Sequence, residues 1–352
     1  MSLKKTVLMA AKAAGLFALM RSLTRKQARI LCYHGGSLGD ERDYNPKLFC
    51  SPQQLRQRLD WLRRHGFVPA TLDGTLQPDG GRGIRVAVTL DDGWYSSYHD
   101  LLPLLAEYGY RPVLYLHSDT YEHGAPVAGV TLRYLVWKAP RRALQLSGLA
   151  PDLDGSYDLA TDAGRRTLTE RAGRWLQAIA PAGLQASLVR LAEALGVPAA
   201  VLDLPSRRFS YMTGDELRQA SANGCAIELH GHVHTYLPGD PEANRANIER
   251  CRAAILAAGL PHPVHYCYPS GRFDPAAAAT MRAAGVRTAT TCLPGLVDIK
   301  DPDDVFFLPR FLDGGDVAMI EFEAEMSGVL ALLRKLAGML PGRARVAAPG
   351  LA

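Results

Sequence analysis

The first 39 residues contain no acidic side chain, whereas Lys4, Lys5, Lys12, Arg21, Arg25, Lys26 and Arg29 are all basic. A segment of one charge sign favours an anionic neighbour, but no basic motif interleaved with aromatics accompanies it, so a nucleic-acid partner is not expected. Long apolar runs are missing too. Residues 6–20 are apolar but carry Lys12 at their centre, and a bilayer span needs about 20 apolar residues. No small-x-small cleavage site follows them, so neither a transmembrane helix nor an export signal is expected. The expected location is the cytoplasm, with the inner face of the membrane as the neighbouring site. The apolar residues of this stretch do not segregate cleanly to one face, which favours a helix packed on the domain over peripheral membrane association. The six cysteines (Cys32, Cys50, Cys225, Cys251, Cys267, Cys292) form no C-x-x-C, and three lie in strand-like runs. Buried free thiols fit that pattern better than a disulfide framework. No fixed-period repeat is present, which argues against a solenoid or propeller.

What is present is ordinary for a soluble globular protein: 352 residues, 47% hydrophobic, formal charge +5. Short apolar runs alternate with helical patterns. Arg-Ile-Leu-Cys-Tyr at 29–33 reads as a strand ending at His34, and Ser51-Pro52-Gln53-Gln54 opens a helix with serine at the N-cap, proline at the first turn and glutamine where a capping box needs it. Further strands are expected at 67–72, 86–90, 113–116, 225–229, 264–268 and 286–291, with a last one entered at Leu308-Pro309-Arg310. Such alternation implies parallel strands with helices outside. It lapses at 124–208, where Leu184, Leu188, Leu191 and Leu195 recur at helical spacing, so this stretch is expected to be a mostly helical insertion. Three parts are expected: a basic N-terminal helix at 1–27, a main α/β domain at 28–315 and a C-terminal helix and tail at 316–352.

Two strand ends carry chemistry. Val86-Ala87-Val88-Thr89-Leu90 runs into Asp91-Asp92-Gly93-Trp94. Asp and Gly also favour plain turns, but two adjacent carboxylates disfavour each other's ionisation unless a cation sits nearby. Glu228-Leu229 runs into His230-Gly231-His232-Val233-His234. Three histidines in five residues point to metal binding, and His230 and His234 reach one ion if the turn curls helically, leaving His232 to point elsewhere. Two imidazoles and one carboxylate of the Asp pair make a three-ligand site with open positions, suited to activating water.

These motifs resemble those of the NodB-type polysaccharide deacetylases, carbohydrate esterase family four. Thr89-Leu90-Asp91-Asp92-Gly93 is similar to the family's T-F-D-D-G, and His230 to His234 to its H-[ST]-x-x-H in the H-G-H-x-H form. Tyr266-Cys267-Tyr268-Pro269-Ser270-Gly271-Arg272-Phe273-Asp274 resembles its third motif. Cys32-Tyr33-His34 and Leu308-Pro309-Arg310 resemble elements of the branch associated with bacterial exopolysaccharide synthesis. The resemblance covers roughly residues 28–315 and implies an α/β fold, a distorted (β/α) barrel of about seven strands with its site at the C-terminal strand edges.

By position the resemblance implies Asp92, His230 and His234 as metal ligands and Asp91 as general base. It places Ser270, Tyr268 and Trp94 in the substrate-binding and oxyanion wall and nominates His34 as general acid, with His232 the competitor. Zinc is the expected metal, with cobalt, nickel and manganese tolerated by mixed His/Asp ligation. Where many members carry an arginine in the third motif this chain has Cys267, so Arg310 is the expected substitute for holding Asp91 ionised, with Asp313 a structural partner near it. His65, His99, His117, His123, His262 and His265 are assigned to surface or core. The implied activity is metal-dependent removal of N-acetyl groups from amino sugars of a bacterial surface polysaccharide or its lipid-linked precursor. The alternatives are a non-catalytic carbohydrate-binding protein, or the same hydrolysis of another amide or an O-acetyl ester.

Overall fold

The computed structural model describes residues 2–77, 81, 83–121 and 125–338. His123, part of the loop at 77–83, the first residue of the expected insertion and residues 339–352 of the expected tail lie outside the described residues. Seven parallel strands organise the chain: β1 (Arg29–Tyr33), β2 (Ile84–Asp91), β3 (Val113–Leu116), β4 (Ala226–Leu229), β5 (His265–Cys267), β6 (Thr288–Thr290) and β7 (Phe311–Leu312). They lie in the order β6-β5-β4-β3-β2-β1-β7, and the short strand Phe67–Pro69 pairs with the start of β2. Strands β1 and β3 are buried along their whole length and β2 nearly so, which is why they read as continuous apolar runs rather than alternating ones.

The sheet closes on itself. Thr290 bridges to Leu308 in parallel, and four residues later Leu312 pairs with Cys32 of β1. Residues 308–312 therefore join the free edge of β6 to that of β1, giving the seven-stave distorted barrel expected from the sequence. The start of this last stave is a single bridge rather than a regular ladder. Its path puts Arg310 inside the barrel, between the two edges.

Helix Pro52–Arg64 begins as expected, with Ser51 Oγ accepting the Gln54 N–H at 3.1 Å. The reciprocal half of its capping box does not form, because the Gln54 amide instead donates to Gly314 O at 2.7 Å. Helix Gly214–Ala222 has the complete box between Thr213 and Glu216. The insertion contains helices Ala128–Lys138, Asp162–Gln177 and Pro181–Ala194, plus an antiparallel hairpin, Ala143–Leu146 with Gly155–Asp158, that helical spacing gave no sign of. These elements bury their own apolar cluster, with Leu135, Leu168 and Leu191 at its centre, and bridges Pro126 to Ser210 and Trp94 to Tyr211 tie it to the barrel rim.

At the N-terminus the expected single helix is two, Leu3–Ala13 and Leu16–Leu23, bent by 75° where Gly15 adopts a left-handed conformation (φ 79°). Leu8, Phe17 and Met20 pack on Ala324 and Val329. In the C-terminal part, where one helix is expected, there are two, Met319–Met326 and Val329–Leu336, separated at Gly328 (φ 87°). Buried Arg29 ties these ends to the barrel by donating to Met326 O at 3.0 Å and Thr24 O at 2.8 Å.

Candidate metal and catalytic centre

All the strand-end motifs converge on one open cavity of about 560 Å³ at the C-terminal edge of the barrel. Strand β2 ends with Asp91 in register and Asp92 out of it. Asp92 takes φ 73° and Gly93 φ 77°, so the chain turns sharply there, and a left-handed conformation at a non-glycine residue is the kind of local cost met at functional sites. Gly231 (φ 89°) does the same after β4. A Cβ on Gly231 would lie 2.6 Å from Asn247 Nδ2 and 2.7 Å from Val233 O, so the close turn that brings His234 back toward His230 requires glycine.

Asp92, His230 and His234 face one another. Asp92 Oδ1 lies 3.4 Å from His230 Nε2 and 3.5 Å from His234 Nε2, and the two Nε2 atoms are 3.1 Å apart. His230 Nδ1 lies 2.9 Å from Cys267 O; donating its proton there leaves the Nε2 lone pair directed at the cluster. Asp92 Oδ1 is buried with no hydrogen-bond partner among the described residues. Burial works against ionisation of Asp92, yet His230, His234 and His34 outweigh it and hold the carboxyl well below the usual carboxylate range. Burial likewise pushes His234 down to about 4, against the pull of Asp92, so its imidazole is neutral near pH 7. An ionised carboxylate and two imidazoles, with one oxygen orphaned between them, fit a divalent cation. A second grouping, Asp91, His230 and Cys267, is also within metal-binding reach, but its carboxylate is already engaged.

That engagement is a fork. Arg310 Nη1 donates to Asp91 Oδ1 at 2.7 Å and Nη2 to Asp91 Oδ2 at 2.8 Å, with both residues buried. Burial raises the Asp91 carboxyl, but Arg310 more than compensates and holds it at about 2. Arg310 Nη2 also reaches Cys267 Sγ at 3.0 Å, and Thr89 Oγ1 lies 3.0 Å from Nη1. The small thiol at 267 thus leaves the volume that a guanidinium entering from the 308–312 stave fills.

The other sequence-predicted residues divide. His34 lines the cavity with Nε2 3.9 Å from Asp91 Oδ2, and Trp94 lines it beside His34 and against Phe49. Ser270, with φ 53°, lines the opposite wall with Gly271. Tyr268 does not reach the cavity. Its ring is buried among Tyr236, Tyr266 and Phe273 and its hydroxyl donates to Phe306 O at 3.0 Å, so its place in the substrate wall is corrected to a core position. His232 turns away, with Nδ1 3.0 Å from Ser118 Oγ and Nε2 2.8 Å from Arg250 Nη2, which removes it as the competing acid. Asp313 pairs with Arg58 and Tyr33 rather than Arg310.

His117, assigned from sequence to surface or core, lines the cavity instead. Its Nδ1 lies 2.9 Å from Asp119 Oδ1 and its ring centroid 5.5 Å from that of His234. The signal was available, since His117 directly follows β3 at the same strand edge as the other site residues. Arg133 and Gln177, from two insertion helices, complete the outer wall. Nothing in the sequence of the insertion distinguishes these two from its other polar residues.

Residues 180–289 match the family model for polysaccharide deacetylase, a span that holds His230, His234 and the 266–274 motif. Over that span the chain resembles a polysaccharide deacetylase. The NodB-type resemblance read from its motifs is thereby borne out, as is its enzyme class, a hydrolase acting on carbon–nitrogen bonds other than peptide bonds. The fold of the chain is similar to that of IcaB from Ammonifex degensii (TM-score 0.51, 17% identity, covering 86% of this chain and 97% of that one). It is also similar to the Streptococcus pyogenes deacetylase PplD, solved in complex with acetate (TM-score 0.53, 12% identity, covering 86% of this chain and 99% of that one). At these identities the likeness is one of fold. No curated protein matches the chain.

Proposed function

We propose that this deacetylase hydrolyses the acetamide of an N-acetylated amino sugar in a bacterial surface polysaccharide or its lipid-linked precursor, and that it depends on a divalent metal, zinc by preference. The observation that carries the reading is the Asp91–Arg310 fork standing beside the Asp92, His230 and His234 cluster in one open cavity. Asp92, His230 and His234 would hold the metal, which when bound acidifies water toward neutrality and polarises the acetamide carbonyl.

The chain's own groups do the rest. Asp91, kept ionised by Arg310, takes a proton from the attacking water. A carboxylate held at about 2 is a weak base, so it serves best against a water whose acidity has been raised. As the oxygen–carbon bond forms, charge gathers on the former carbonyl oxygen, and the backbone at Ser270 and Gly271 forms the wall facing it. His34, on the Asp91 side of the cavity, gives a proton to the departing amine as the carbon–nitrogen bond breaks. Acetate and a free amino sugar result. The insertion, through Arg133 and Gln177, shapes the outer cavity where neighbouring sugars would lie.

Acetate release from a panel of N-acetylhexosamine polymers and lipid-linked sugars, with and without chelator, tests this. Release that chelator abolishes and added metal restores is expected. Metal retained with no release from any glycan, and glycan binding indifferent to Asp91→Asn, would mean a binding protein instead.

A further inference from the structure

The terminal helices carry a surface that the barrel does not use. Among the described residues, seven of the thirteen exposed large apolar side chains lie on just three helices, Leu3–Ala13, Leu16–Leu23 and Val329–Leu336, so exposure is concentrated rather than scattered. Leu3, Leu23 and Leu336 are 81%, 70% and 74% exposed, and Val7, Leu19 and Leu333 are about half exposed. Clusters of this kind on a soluble protein mark an interaction surface.

The charges are arranged around it. Lys4 pairs with Glu321 at 2.7 Å and Lys12 pairs with Glu323, both on helix Met319–Met326, so these lysines pin the first helix by its inner side. Thr6, Val7, Ala10, Ala14, Leu19 and Leu23 of this segment are exposed and uncharged. Exposed Arg25 and Lys26 follow the apolar residues of the first two helices and exposed Lys335 lies between Leu333 and Leu336; none of the three forms an ion pair among the described residues, and no acid occurs before Asp40. Among the described residues no single helix is long and apolar enough to cross a membrane, and the first two are bent apart by 75° with Lys4 and Lys12 held in ion pairs. That geometry lays the pair along a surface.

We infer that these three helices dock the protein on an anionic lipid bilayer, with the leucines entering the headgroup boundary and Arg25, Lys26 and Lys335 meeting acidic headgroups. A second copy of the chain is a poorer occupant, because a two-fold contact would set the same basic rim against itself. The inference is independent of the catalytic reading, yet the two surfaces adjoin. A cleft of about 510 Å³ runs between Met20, Thr24 and Leu332 of the docking helices and the loop at 293–296. Leu293 lines both that cleft and the catalytic cavity, so the cavity adjoins the cleft that runs beside the docking helices.

Vesicle flotation of the full chain tests this without any sugar substrate. The protein should float with phosphatidylglycerol/phosphatidylcholine vesicles and about tenfold less with phosphatidylcholine alone. The combined change Leu19→Ser, Leu23→Ser and Leu336→Ser, all at exposed positions, should cut flotation at least about tenfold with the melting temperature unchanged. Arg25→Glu with Lys26→Glu should abolish the preference for anionic vesicles while leaving the leucines in place. Wild-type protein that stays in solution, or serine and glutamate variants that float like wild type, would overturn it. So would light scattering that shows a dimer dissolved by the serine changes, since the patch would then face a second copy.

Discussion

Asp91 and Arg310 show how much one side chain can settle. Arg310 was legible as the partner of Asp91 because Cys267 stands where many related chains carry an arginine, and a guanidinium can hold a carboxylate in a forked pair. The fork itself depends on the barrel closing through residues 308–312. Replacing Arg310 by alanine leaves a buried carboxylate unpaired, which costs about 3–5 kcal/mol in comparable settings. Without the guanidinium, burial dominates and the Asp91 pKa rises from about 2. A base must be deprotonated to act, so the acid limb of kcat/KM should move to higher pH, and Arg310→Lys should move it less. A pH profile that does not shift in either variant would separate Arg310 from the chemistry. Asp91→Asn should lower kcat by about 10²–10⁴ with metal content retained. His34→Gln should slow an acetamide far more than an aryl acetate, whose leaving group needs no proton; equal losses on both substrates would point to a different acid, with His117 next in reach.

Residues that resisted sequence reading did so for identifiable reasons. Tyr268 sits in a recognised motif, but strand alternation turns it inward to the core, and a motif does not report which face its members take. Asp313 lies three residues from Arg310 in sequence, yet its side chain pairs with Arg58 on helix Pro52–Arg64, and only the tertiary path shows that.

Elements were more legible at their starts than at their ends. Ser, Thr, Asp and Pro leave local marks at helix N-termini, and the Thr213–Glu216 box formed as its sequence suggests. Helix breaks at Gly15 and Gly328 were invisible to apolar spacing, because the apolar pattern continues through both. The hairpin inside the insertion was missed for another reason, since its strands are four residues each and half exposed, and the alternation of Leu144 and Leu146 about Gln145 is too short to stand out from helical spacing. Because the insertion buries a cluster of its own, Leu168→Ala should destabilise it by about 2–5 kcal/mol. Hydrogen exchange should show the loss concentrated at 128–195, with β1 to β3 protected as before. Uniform loss over the barrel would mean that the insertion and the barrel unfold as one unit.

For the whole molecule, β/α alternation was enough to foresee parallel staves with a site at one rim, because that reading needs only strand and helix periodicity. The closure needed more. It rests on Leu308 bridging to Thr290 and on β7 pairing with β1, contacts between residues far apart in sequence. The β5–β6 side of the barrel holds His265, whose Nδ1 lies 2.7 Å from Thr288 Oγ1. Burial pushes His265 down to about 4; Asp73 draws it up and Arg287 down. Between about 4 and the ordinary value near 6.5 the unfolded chain binds a proton that the folded chain refuses. Stability should therefore rise with pH across that window and be fully present above it. A shift of this size corresponds to at most about 3 kcal/mol. His265→Gln keeps a hydrogen-bonding group toward Thr288 without the titration. Urea unfolding between pH 4 and 7 should show a flatter stability profile for His265→Gln than for wild type, and parallel profiles would show that this imidazole is not what makes the barrel acid-sensitive.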